Sequence, residues 1–581
     1  MERLWQFARR SWRRWLWGIT LLALTNASAM VIPQLFRMAI DGIQNDAELT
    51  DLRGIALLMI LVAFGGAAFR SLSRIHIFFA ARDVEKDLRC AYYEHLATQS
   101  PEFYENHPVG DLMSRATNDL TQVRLMLGPG VLNVVNTSIA YGIAIPLMAA
   151  ISWKLTLLTL AVYPPSLFLM RFLARKLFFK TREQQQQLGQ ISNLIQENLA
   201  GAHVVRAFNQ EDRQAAAFDV LNERYYTASL NLVVIRAWLF RAIMVIGNVG
   251  VMLAVFFGSL DALAGRVTIG ELVALVEYMA LLSWPTFALG WVLSTIQRGR
   301  ASMSRLNEVF EISPTITSGA GEPDRDSPSM SVAELTVGYG DDGDVLHDVS
   351  FEVPAGTTLG IVGSVGSGKT TLVRALMRLI DLPDGRVHLG GTDVKEWPLD
   401  DLRAQFGYTP QLHVLFSKSL AENVRFGRPE ASDDEVRRAL AAAAFDPEQQ
   451  GLPQGLATPI GERGIALSGG QKQRTSLARA LLLNPPILVL DDALASVDAE
   501  TETRILDSLK EMRAEKTTVI IAHRISAVQH ADHIIVLDQG RIIERGTHQE
   551  LRQANGFYAQ LVRRQEAGAT DADRALERVG T

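Results

Sequence analysis

The hydrophobic residues of this chain are distributed differently in its two halves. Up to about residue 300 long apolar stretches recur, whereas after residue 330 short apolar runs alternate with glycine-rich turns. A helix needs about 20 mostly apolar residues to cross about 30 Å of hydrocarbon. Six stretches meet this requirement, at residues 15–40, 53–79, 128–151, 155–178, 232–258 and 269–297. The pattern therefore predicts an all-α, six-helix membrane domain followed by a soluble α/β domain.

A polar segment rich in proline, glycine and serine separates the two halves. It covers residues 311–330 and is typical of a linker. The predicted organisation is therefore a transmembrane domain at 1–310, this linker, a soluble domain at 331–563 and a C-terminal tail at 564–581.

The charges that flank the apolar stretches predict an orientation in the membrane. The two long connections, after the second and the fourth stretch, are basic near the spans: Arg82, Lys86, Arg89, Arg115, Arg124, Arg175, Lys176, Lys180 and Arg182. The first short connection is acidic instead. Because cytoplasmic loops carry the excess of Lys and Arg, we expect a multi-pass protein of the cell (inner) membrane with both termini cytoplasmic.

The two long connections also have a helical pattern. The membrane helices are therefore predicted to continue into the cytosol as a stalk. Each connection is interrupted by turn residues, at 107–110 and at 200–202. From the pattern alone these turns are either ordinary loops or points of contact with a second domain.

The N-terminus has two interpretations. Four arginines between residues 9 and 14, an apolar run and the small residues 27–29 are typical of a cleavable signal peptide. The apolar run continues through residue 32, however, and further spans follow. This continuation favours an uncleaved first helix with its basic flank in the cytosol.

Several ionisable side chains fall inside the predicted spans, where they are costly in hydrocarbon. They are Arg70, Arg74, His76, Arg236, Arg241 and Glu277. We expect them to face the bundle interior, a partner or a water-filled cavity. An ion pair within the bundle and contact with a solute both fit, and projection of a helix beyond the bilayer would account for some of them.

The net charge and the cysteine count exclude two kinds of function. The formal net charge of −6 has no basic bias, so no nucleic-acid partner is expected. The single cysteine, Cys90, cannot form an intrachain disulfide or a thiolate cluster, and no redox chemistry is expected.

A glycine-rich motif follows a predicted strand in the soluble half. The strand, residues 358–362, leads into Gly-Ser-Val-Gly-Ser-Gly-Lys-Thr and then into a helix. In this P-loop arrangement the glycines let backbone N–H groups surround phosphates, and the helix N-terminus adds a favourable dipole. Lys369 is expected to bind the β- and γ-phosphates of ATP, and Thr370 to ligate Mg²⁺. The predicted ATP-binding residues here are Gly363, Ser364, Gly366, Ser367, Gly368, Lys369, Thr370 and Thr371.

A second buried strand, residues 487–490, ends in two carboxylates. We assign Asp491 as the Walker B aspartate that faces Mg²⁺. The signal is weak alone, but the segment Leu-Ser-Gly-Gly-Gln at 467–471 lies just upstream. The order of P-loop, this segment and the acidic strand strengthens the assignment.

With these motifs the chain resembles the ABC ATPases, and over its whole length the ABC exporters. The segment 467–471 resembles the family signature. The resemblance implies that two ATP-binding domains dimerise head to tail, so that each ATP lies between the P-loop of one chain and the signature of the other. It implies contact with ATP for Ser468, Gly469, Gly470 and Gln471.

The resemblance also implies roles for residues outside these motifs. Tyr339 is expected to stack on adenine, with a core tyrosine as the alternative. Gln411 is expected to sense Mg²⁺ and the attacking water, and His523 to contact the γ-phosphate, although a histidine after a strand is otherwise usually structural. Asp498 matches the D-loop, and Glu462 matches the loop that meets the transmembrane domain.

One position departs from the family pattern. Fully active members have glutamate after the Walker B aspartate, to polarise the attacking water, and this chain has Asp492. The carboxylate is drawn back by about a bond length, and a misplacement of about 1 Å can cost about a hundredfold in rate. The site on this P-loop is therefore predicted to bind ATP but to hydrolyse it slowly, as in the degenerate subunit of heterodimeric multidrug exporters.

The resemblance implies ATP-driven export of hydrophobic or amphipathic solutes by alternating access, with ATP and Mg²⁺ as cofactors. The expected partners are a second, non-identical half-transporter, membrane lipid and a small hydrophobic or amphipathic substrate. The turns at 107–110 and 200–202 match the exporter coupling positions. A lipid or peptide exporter and a homodimer are the alternatives, and the six spans disfavour a non-transporting ATPase of the same superfamily.

Overall fold

The computed structural model of the chain contains two compact units. The N-terminal unit comprises Met1–Ala97 and Val109–Ile312, and the C-terminal unit comprises Thr98–Pro108 and Ser313–Thr581. The structure describes residues 2–324, 328–339, 343–461 and 467–567. Within helices, it does not describe the side chains of residues 163, 166, 167, 170, 174, 240, 242–244, 246, 247 and 287.

Long helices dominate the first 312 residues. In chain order they are α1 (Glu2–Arg10), α2 (Trp12–Gln44), α3 (Leu49–Ala97), α4 (Pro101–Asn106), α5 (Val109–Ser114), α6 (Leu120–Leu125), α7 (Val131–Leu160), α8 (Tyr163–Ala200), α9 (Ala202–Ala207), α10 (Glu211–Leu263) and α11 (Ile269–Glu311). Two π-helical turns, Arg115–Asp119 and Met126–Gly130, join α5, α6 and α7.

The predicted spans lie in these helices. Among the described residues, four helical runs are long and apolar enough to cross a membrane: Trp12–Gln44, Leu49–Ala97, Val109–Leu160 and Ile269–Glu311. The fourth and fifth predicted spans lie mainly in α8 and α10, which include most of the side chains that are not described. For those two spans the membrane assignment stays a prediction.

The boundary between the third and fourth predicted spans coincides with a break in helical geometry. At Ser152 φ is −160° and ψ is 112°, and the residues on either side are helical. Ser152 lies within the few residues that separate the two apolar stretches. The helix α8 starts later than the predicted span, at Tyr163, where Pro164 and Pro165 lack the N–H groups that would continue the preceding helix.

The lengths of the helices fit the predicted stalk, which stays a prediction. The 49 residues of α3 extend for about 74 Å at 1.5 Å per residue, far more than a bilayer requires. Beyond the apolar part of α3, the buried Glu85 forms ion pairs with Arg82, Arg89 and Arg124 at 2.9, 2.9 and 3.1 Å. Basic residues that were read as orientation signals thus also join α3 to α6.

The ionisable residues of the predicted spans differ in their exposure to solvent. Arg236 and Arg241 are exposed on α10 in the single chain, and Glu277 on α11 is half-buried. The ion pairs found among the described side chains do not include these three.

The first stalk interruption differs from its prediction. The helix α3 already ends at Ala97, and the turn at His107 and Pro108 follows the separate helix α4. Ser100 is the N-cap of α4 and Pro101 occupies its first turn, where a missing N–H costs nothing. The second interruption agrees with its prediction, since α8 ends at Ala200 and α9 starts at Ala202.

Two sheets form the framework of the C-terminal unit. The strands are β1 (Met330–Gly338), β2 (Asp344–Val353), β3 (Thr358–Gly363), β4 (Val387–Leu389), β5 (Thr392–Asp393), β6 (Phe406–Thr409), β7 (Ile487–Asp491), β8 (Thr517–Ile521), β9 (His533–Asp538) and β10 (Arg541–Gly546). One sheet has the order β2-β1-β4-β5 and the other β10-β9-β3-β8-β7-β6. In the six-stranded sheet all pairs except β10–β9 are parallel.

The parallel strands are buried on both faces, which explains their continuous apolar runs. Every residue of β7 and β8 is buried. The helices of this unit after the linker include α12 (Lys369–Leu376), α13 (Leu399–Ala404), α14 (Leu420–Val424), α15 (Asp433–Ala442), α16 (Gly469–Leu482), α17 (Ala499–Met512) and α18 (His548–Gln553).

A buried arginine fixes the starts of β7 and β8. The Arg513 guanidinium donates to the carbonyl oxygens of Pro485 at 3.0 Å, Pro486 at 3.2 Å and Thr517 at 2.9 Å. Burial lowers the pKa of Arg513 to about 10, so it is charged at neutral pH. The guanidinium therefore satisfies several buried acceptors of the sheet at once.

Replacing this arginine should destabilise the C-terminal unit. Arg513→Ala leaves those buried carbonyls unpaired, and we expect a loss of about 3 kcal/mol in the free energy of unfolding. Thermal unfolding of the full chain in detergent would measure it. Arg513→Lys is the control and should recover only part of the loss, because one ammonium cannot reach all three carbonyls. An unchanged midpoint for Arg513→Ala would contradict this role.

Candidate functional site

Four predicted site segments follow neighbouring parallel strands of the six-stranded sheet. The P-loop starts at Gly363 after β3, His523 follows β8, Asp492 follows β7 and Gln411 follows β6. The carboxyl ends of parallel strands meet at one edge of a sheet, where open α/β sheets bind their ligands. The strand order therefore brings these segments to the same edge.

The P-loop glycines occupy positions that other residues would strain. Gly366 and Gly368 have φ of +79° and +95°. A Cβ added to Gly363 would lie 2.0 Å from the carbonyl oxygen of Leu537 on β9. The loop keeps close to the neighbouring strand only because these positions lack side chains.

Lys369 is a buried cation held by neutral oxygen atoms. Its Nζ donates to the carbonyl oxygens of Gly363 at 3.1 Å and Ser364 at 2.7 Å, and to Ser367 Oγ at 3.4 Å. Burial lowers the pKa of Lys369, although Asp491 and Asp492 act in the opposite direction. An anion at the start of α12 would compensate this buried charge, so the residues fit a bound phosphate.

Hard oxygen ligands lie beside the P-loop. The Thr370 hydroxyl donates to Asp491 Oδ1 at 3.3 Å, and the Tyr408 hydroxyl donates to Asp491 Oδ2 at 3.4 Å. Burial raises the pKa of Asp491, and the Thr370 hydrogen bond opposes that rise. A hydroxyl and a single carboxylate fit Mg²⁺ in nucleotide sites, because Mg²⁺ takes its other ligands from phosphates and water.

The signature segment opens helix α16. Ser468 is the N-cap, its Oγ accepts from the Gln471 N–H at 3.3 Å, and the Gln471 side chain accepts from the Ser468 N–H at 2.9 Å. Gly469 is exposed, and a Cβ there would meet nothing closer than 4.0 Å. The predicted helix start at Ser468 is confirmed. The backbone N–H groups of the first turn of α16 can bind an anion.

Gln411, Gly469 and Asp492 line one cavity of about 230 Å³. Lys472 and Ser496 also contribute to its wall, and Lys369 is not among the described lining residues. The structure thus groups the predicted site residues into a P-loop set around Lys369 and Asp491 and a second set around Asp492 and the signature.

Asp492 has a left-handed backbone with φ of +51°. Its N–H donates to the Ile521 carbonyl at 2.9 Å, and its own carbonyl accepts from Gln473 Nε2 at 2.9 Å. Aspartate tolerates this conformation better than most residues with longer side chains. The backbone thus holds Asp492 between β8 and the signature helix.

Tyr339 lies beside the start of α12. Its hydroxyl is 3.1 Å from Thr371 Oγ1 and accepts from Arg374 at 3.3 Å. The ring is half-buried, so the side chain is partly in the core while one part remains accessible. The structure therefore gives Thr371 a direct role in positioning Tyr339.

The remaining predicted residues are less closely tied to the P-loop. Asp498 is the N-cap of α17 and accepts from the Thr501 N–H at 2.9 Å, which lowers the pKa of its carboxyl. His523 is exposed, and its carbonyl accepts from Gln565 at 2.6 Å. Glu462 and most of the predicted tail lie outside the described residues.

Two residues of the site are not predicted by the sequence motifs. Tyr408 contacts the Walker B aspartate, and burial raises its pKa. Gln473 joins α16 to the loop after β7, because its Nε2 donates to the Asp492 carbonyl and its Oε1 accepts from the Ser496 N–H at 3.0 Å. No local signal marks them, since each acts on a residue distant in sequence.

Two family profiles match this chain. A family profile described as ABC transporter transmembrane region matches residues 15–286, and one described as ABC transporter matches residues 346–495. The second match includes the P-loop, the signature and the two aspartates Asp491 and Asp492 at the end of β7.

Individual relatives extend over the whole chain. The probable multidrug resistance ABC transporter ATP-binding/permease protein YheI of Bacillus subtilis (strain 168) is 37% identical, over 97% of each chain. The multidrug resistance-like ATP-binding protein MdlA of Escherichia coli (strain K12) is 35% identical, over 99% of this chain and 98% of its own. A solved bacterial Atm1-family ABC exporter with ATP bound is 29% identical with a TM-score of 0.78, over 95% of this chain and 98% of its own. This chain therefore belongs to the ABC exporter family, with a transmembrane domain and an ATP-binding domain fused in one polypeptide.

Proposed function

We propose that this chain is the degenerate-site subunit of a heterodimeric multidrug exporter. The observation that carries the proposal is the contrast between the intact P-loop and signature on one side and the shortened carboxylate of Asp492 on the other. The P-loop set around Lys369 is complete and the signature at Gly469 is open, but Asp492 provides a shortened carboxylate. The substrate class, hydrophobic or amphipathic solutes, is supported by the relatives named for multidrug resistance.

The open signature supports a dimer. Gly469 is exposed at the start of α16 and is not part of the oxygen cradle around Lys369. The ATP bound to the P-loop of a second subunit would therefore place its phosphates against this helix start. The signature of that subunit would in turn lie against the ATP bound at Lys369. ATP, with Mg²⁺ held by Thr370 and Asp491, supplies the free energy for transport.

The residues of this chain would act in three ways. Lys369 and the N–H groups of the P-loop bind and orient the phosphates, and Gly469 with its helix dipole stabilises negative charge on the partner's nucleotide. Asp492 and Gln411, on the same cavity, orient water. His523 is proposed to contact the γ-phosphate from the neighbouring strand end.

The shortened carboxylate favours an unequal pair. A homodimer would contain two sites with aspartate at this position, and both would hydrolyse slowly. With a non-identical partner, this chain lends an intact signature to a competent site and keeps its own nucleotide for longer. Closure of the two ATP-binding domains would then reach the membrane helices through α4 and α9, with both termini cytoplasmic.

Exposed apolar residues on α9 support its role as a contact element. Val204 and the adjoining Phe208 and Leu199 are 47%, 72% and 73% exposed. Large exposed apolar side chains on and next to this short helix indicate a surface that another domain covers.

ATP hydrolysis by the chain alone tests the proposal. The purified full-length chain should bind ATP but hydrolyse it at least about tenfold more slowly than the pair, with little stimulation by lipophilic drugs. Coexpression with the product of a neighbouring reading frame that has glutamate after its Walker B aspartate should restore drug-stimulated hydrolysis.

The matched control is Lys369→Ala in the isolated chain, which should abolish ATP binding. Brisk, drug-stimulated hydrolysis by the chain alone would contradict the heterodimer. Stimulation of the pair by lipids or peptides and not by drugs would contradict the multidrug assignment.

A further inference from the structure

The short helix α4 belongs to the C-terminal unit, although the helices before and after it in the chain belong to the N-terminal unit. Thr98–Pro108 belongs to the C-terminal unit, whereas α3 before it and α5 after it belong to the N-terminal unit. Phe103 on α4 is buried, and its ring stacks on His107 with 4.3 Å between centroids. Because the chain is continuous, any displacement of α3 or α5 acts on α4.

An ion pair joins α4 to the helix that follows the P-loop. Arg374 on α12 donates from Nη1 to Glu105 Oε1 at 2.9 Å. The side chains of Arg374 and Glu105 are 30% and 50% exposed, so the pair is partly shielded from solvent. Exposed pairs contribute little, and partial burial strengthens this one.

The same guanidinium nitrogen also reaches Tyr339. Arg374 Nη1 donates to the Tyr339 hydroxyl at 3.3 Å, and its Cζ lies 5.8 Å from the centre of the ring. Tyr339 Oη is 3.1 Å from Thr371 Oγ1, which lies two residues after Lys369. One nitrogen atom therefore links an acid on α4 with the aromatic side chain proposed to meet adenine.

We infer that Glu105, Arg374 and Tyr339 form a relay through which adenine binding and the position of α4 influence each other. Arg374 is a positioning residue in this relay. Glu105 holds the guanidinium, and the guanidinium together with Thr371 holds the hydroxyl end of the Tyr339 ring. If α4 moves away, Arg374 loses its anion and the ring loses one of its two fixed contacts.

The coupling is reciprocal, because two linked binding events must change each other's affinity by the same factor. Adenine seated on Tyr339 fixes the ring and with it Arg374, and Arg374 then retains Glu105. The relay acts on the base and not on the phosphates, which Lys369 binds separately. The inference rests on the proposed function, since it requires adenine at Tyr339.

The test compares two ligands on the full-length chain in lipid nanodiscs. ATP contains adenine, whereas inorganic tripolyphosphate offers only the phosphates. Glu105→Gln and Arg374→Gln should each raise the Kd for ATP about fivefold and leave the Kd for tripolyphosphate unchanged. The double variant should lose no more affinity than Arg374→Gln alone, because both changes break the same connection.

Hydrogen exchange provides a readout that does not depend on catalysis. ATP should slow amide exchange in residues 98–108 of the wild-type chain, and this protection should be lost in both variants. Glu102→Gln is the matched control, because it removes a carboxylate from the same helix. Its ATP affinity and protection should stay at the wild-type level. Arg374→Lys, which keeps the charge but not the planar fork, should recover part of both.

Three results would overturn the relay: wild-type ATP affinity in both Gln variants, unchanged protection of residues 98–108, or an equal loss of affinity for tripolyphosphate. A wild-type chain that binds tripolyphosphate and ATP with the same affinity would also overturn it. A wild-type chain that binds neither ligand would instead contradict the proposed function, and this is visible before any variant is made.

Discussion

Gly469→Glu is expected to lower ATP hydrolysis by the assembled pair at least about a hundredfold. Gly469 is exposed at the first position of α16, and a Cβ added there would meet nothing closer than 4.0 Å, so the backbone has room for a side chain at this position. It brings a negative charge to the helix start that is proposed to stabilise the partner's γ-phosphate. Drug-stimulated phosphate release by the purified pair measures the loss.

The control is Gly469→Ala, which adds a methyl group and no charge and should keep most of the activity. Gly470→Ala would be a poor control, because its Cβ would lie 2.8 Å from the Ser496 carbonyl oxygen. A glutamate in the first turn of a helix does not oppose folding, so the unfolding midpoint should be unchanged. Near-normal hydrolysis by the pair with Gly469→Glu would contradict the signature's proposed contact.

Asp492→Glu is expected to activate the site on this chain's own P-loop. In a pair that also carries Gly469→Glu, the competent site that uses this signature is silenced, so the remaining hydrolysis reports on the Lys369 site. Restoring the missing methylene should raise that hydrolysis by at least about tenfold, with about a hundredfold as the upper value. Steady-state phosphate release by the double variant is the measurement.

The matched control is Asp492→Asn in the same background, which removes the charge without extending the side chain and should give no recovery. Glutamate is less suited than aspartate to the φ of +51° at this position, so Asp492→Glu should also destabilise the fold by about 1 kcal/mol. Equal, low hydrolysis for Asp492→Glu and Asp492→Asn would contradict the view that carboxylate reach limits this site.

The two variants separate the proposed roles of Gly469 and Asp492, which line the same cavity. Gly469 would act on a nucleotide bound to the other subunit, and Asp492 on the nucleotide bound to Lys369. If the chain worked as a homodimer, Gly469→Glu would silence both sites together and no second substitution could reveal a surviving one. Recovery in the double variant would therefore also distinguish the unequal pair from a homodimer.

Local sequence patterns were sufficient for the elements that carry the phosphate site. The predicted strand at 358–362 is β3, and the strand at 487–490 is β7, which extends to Asp491. Both are buried on two faces, so their apolar runs are continuous and easily recognised. The P-loop glycines and the Ser468 cap are equally local, because a positive φ or a helix start constrains the residue at that very position.

The start of α4 has a local sequence pattern, but the predicted turn lies further along the chain. Ser100 and Pro101 are typical of a helix N-terminus, yet the turn was predicted only around Pro108. A helical pattern on both sides of a short break does not reveal the break itself. The pairing of Glu105 on α4 with Arg374 could not be predicted from the sequence, because the two residues lie far apart along the chain.

The sequence alone determined the order of the two domains, the phosphate-binding loop, the signature and the substitution at Asp492, since each is encoded by neighbouring residues. Only the tertiary structure decided that Tyr408 reaches Asp491, that Gln473 joins the signature helix to Asp492, and that Arg374 lies between Glu105 and Tyr339. The physical reason is that strand order and helix packing bring together side chains that are separated by up to 269 residues in the chain.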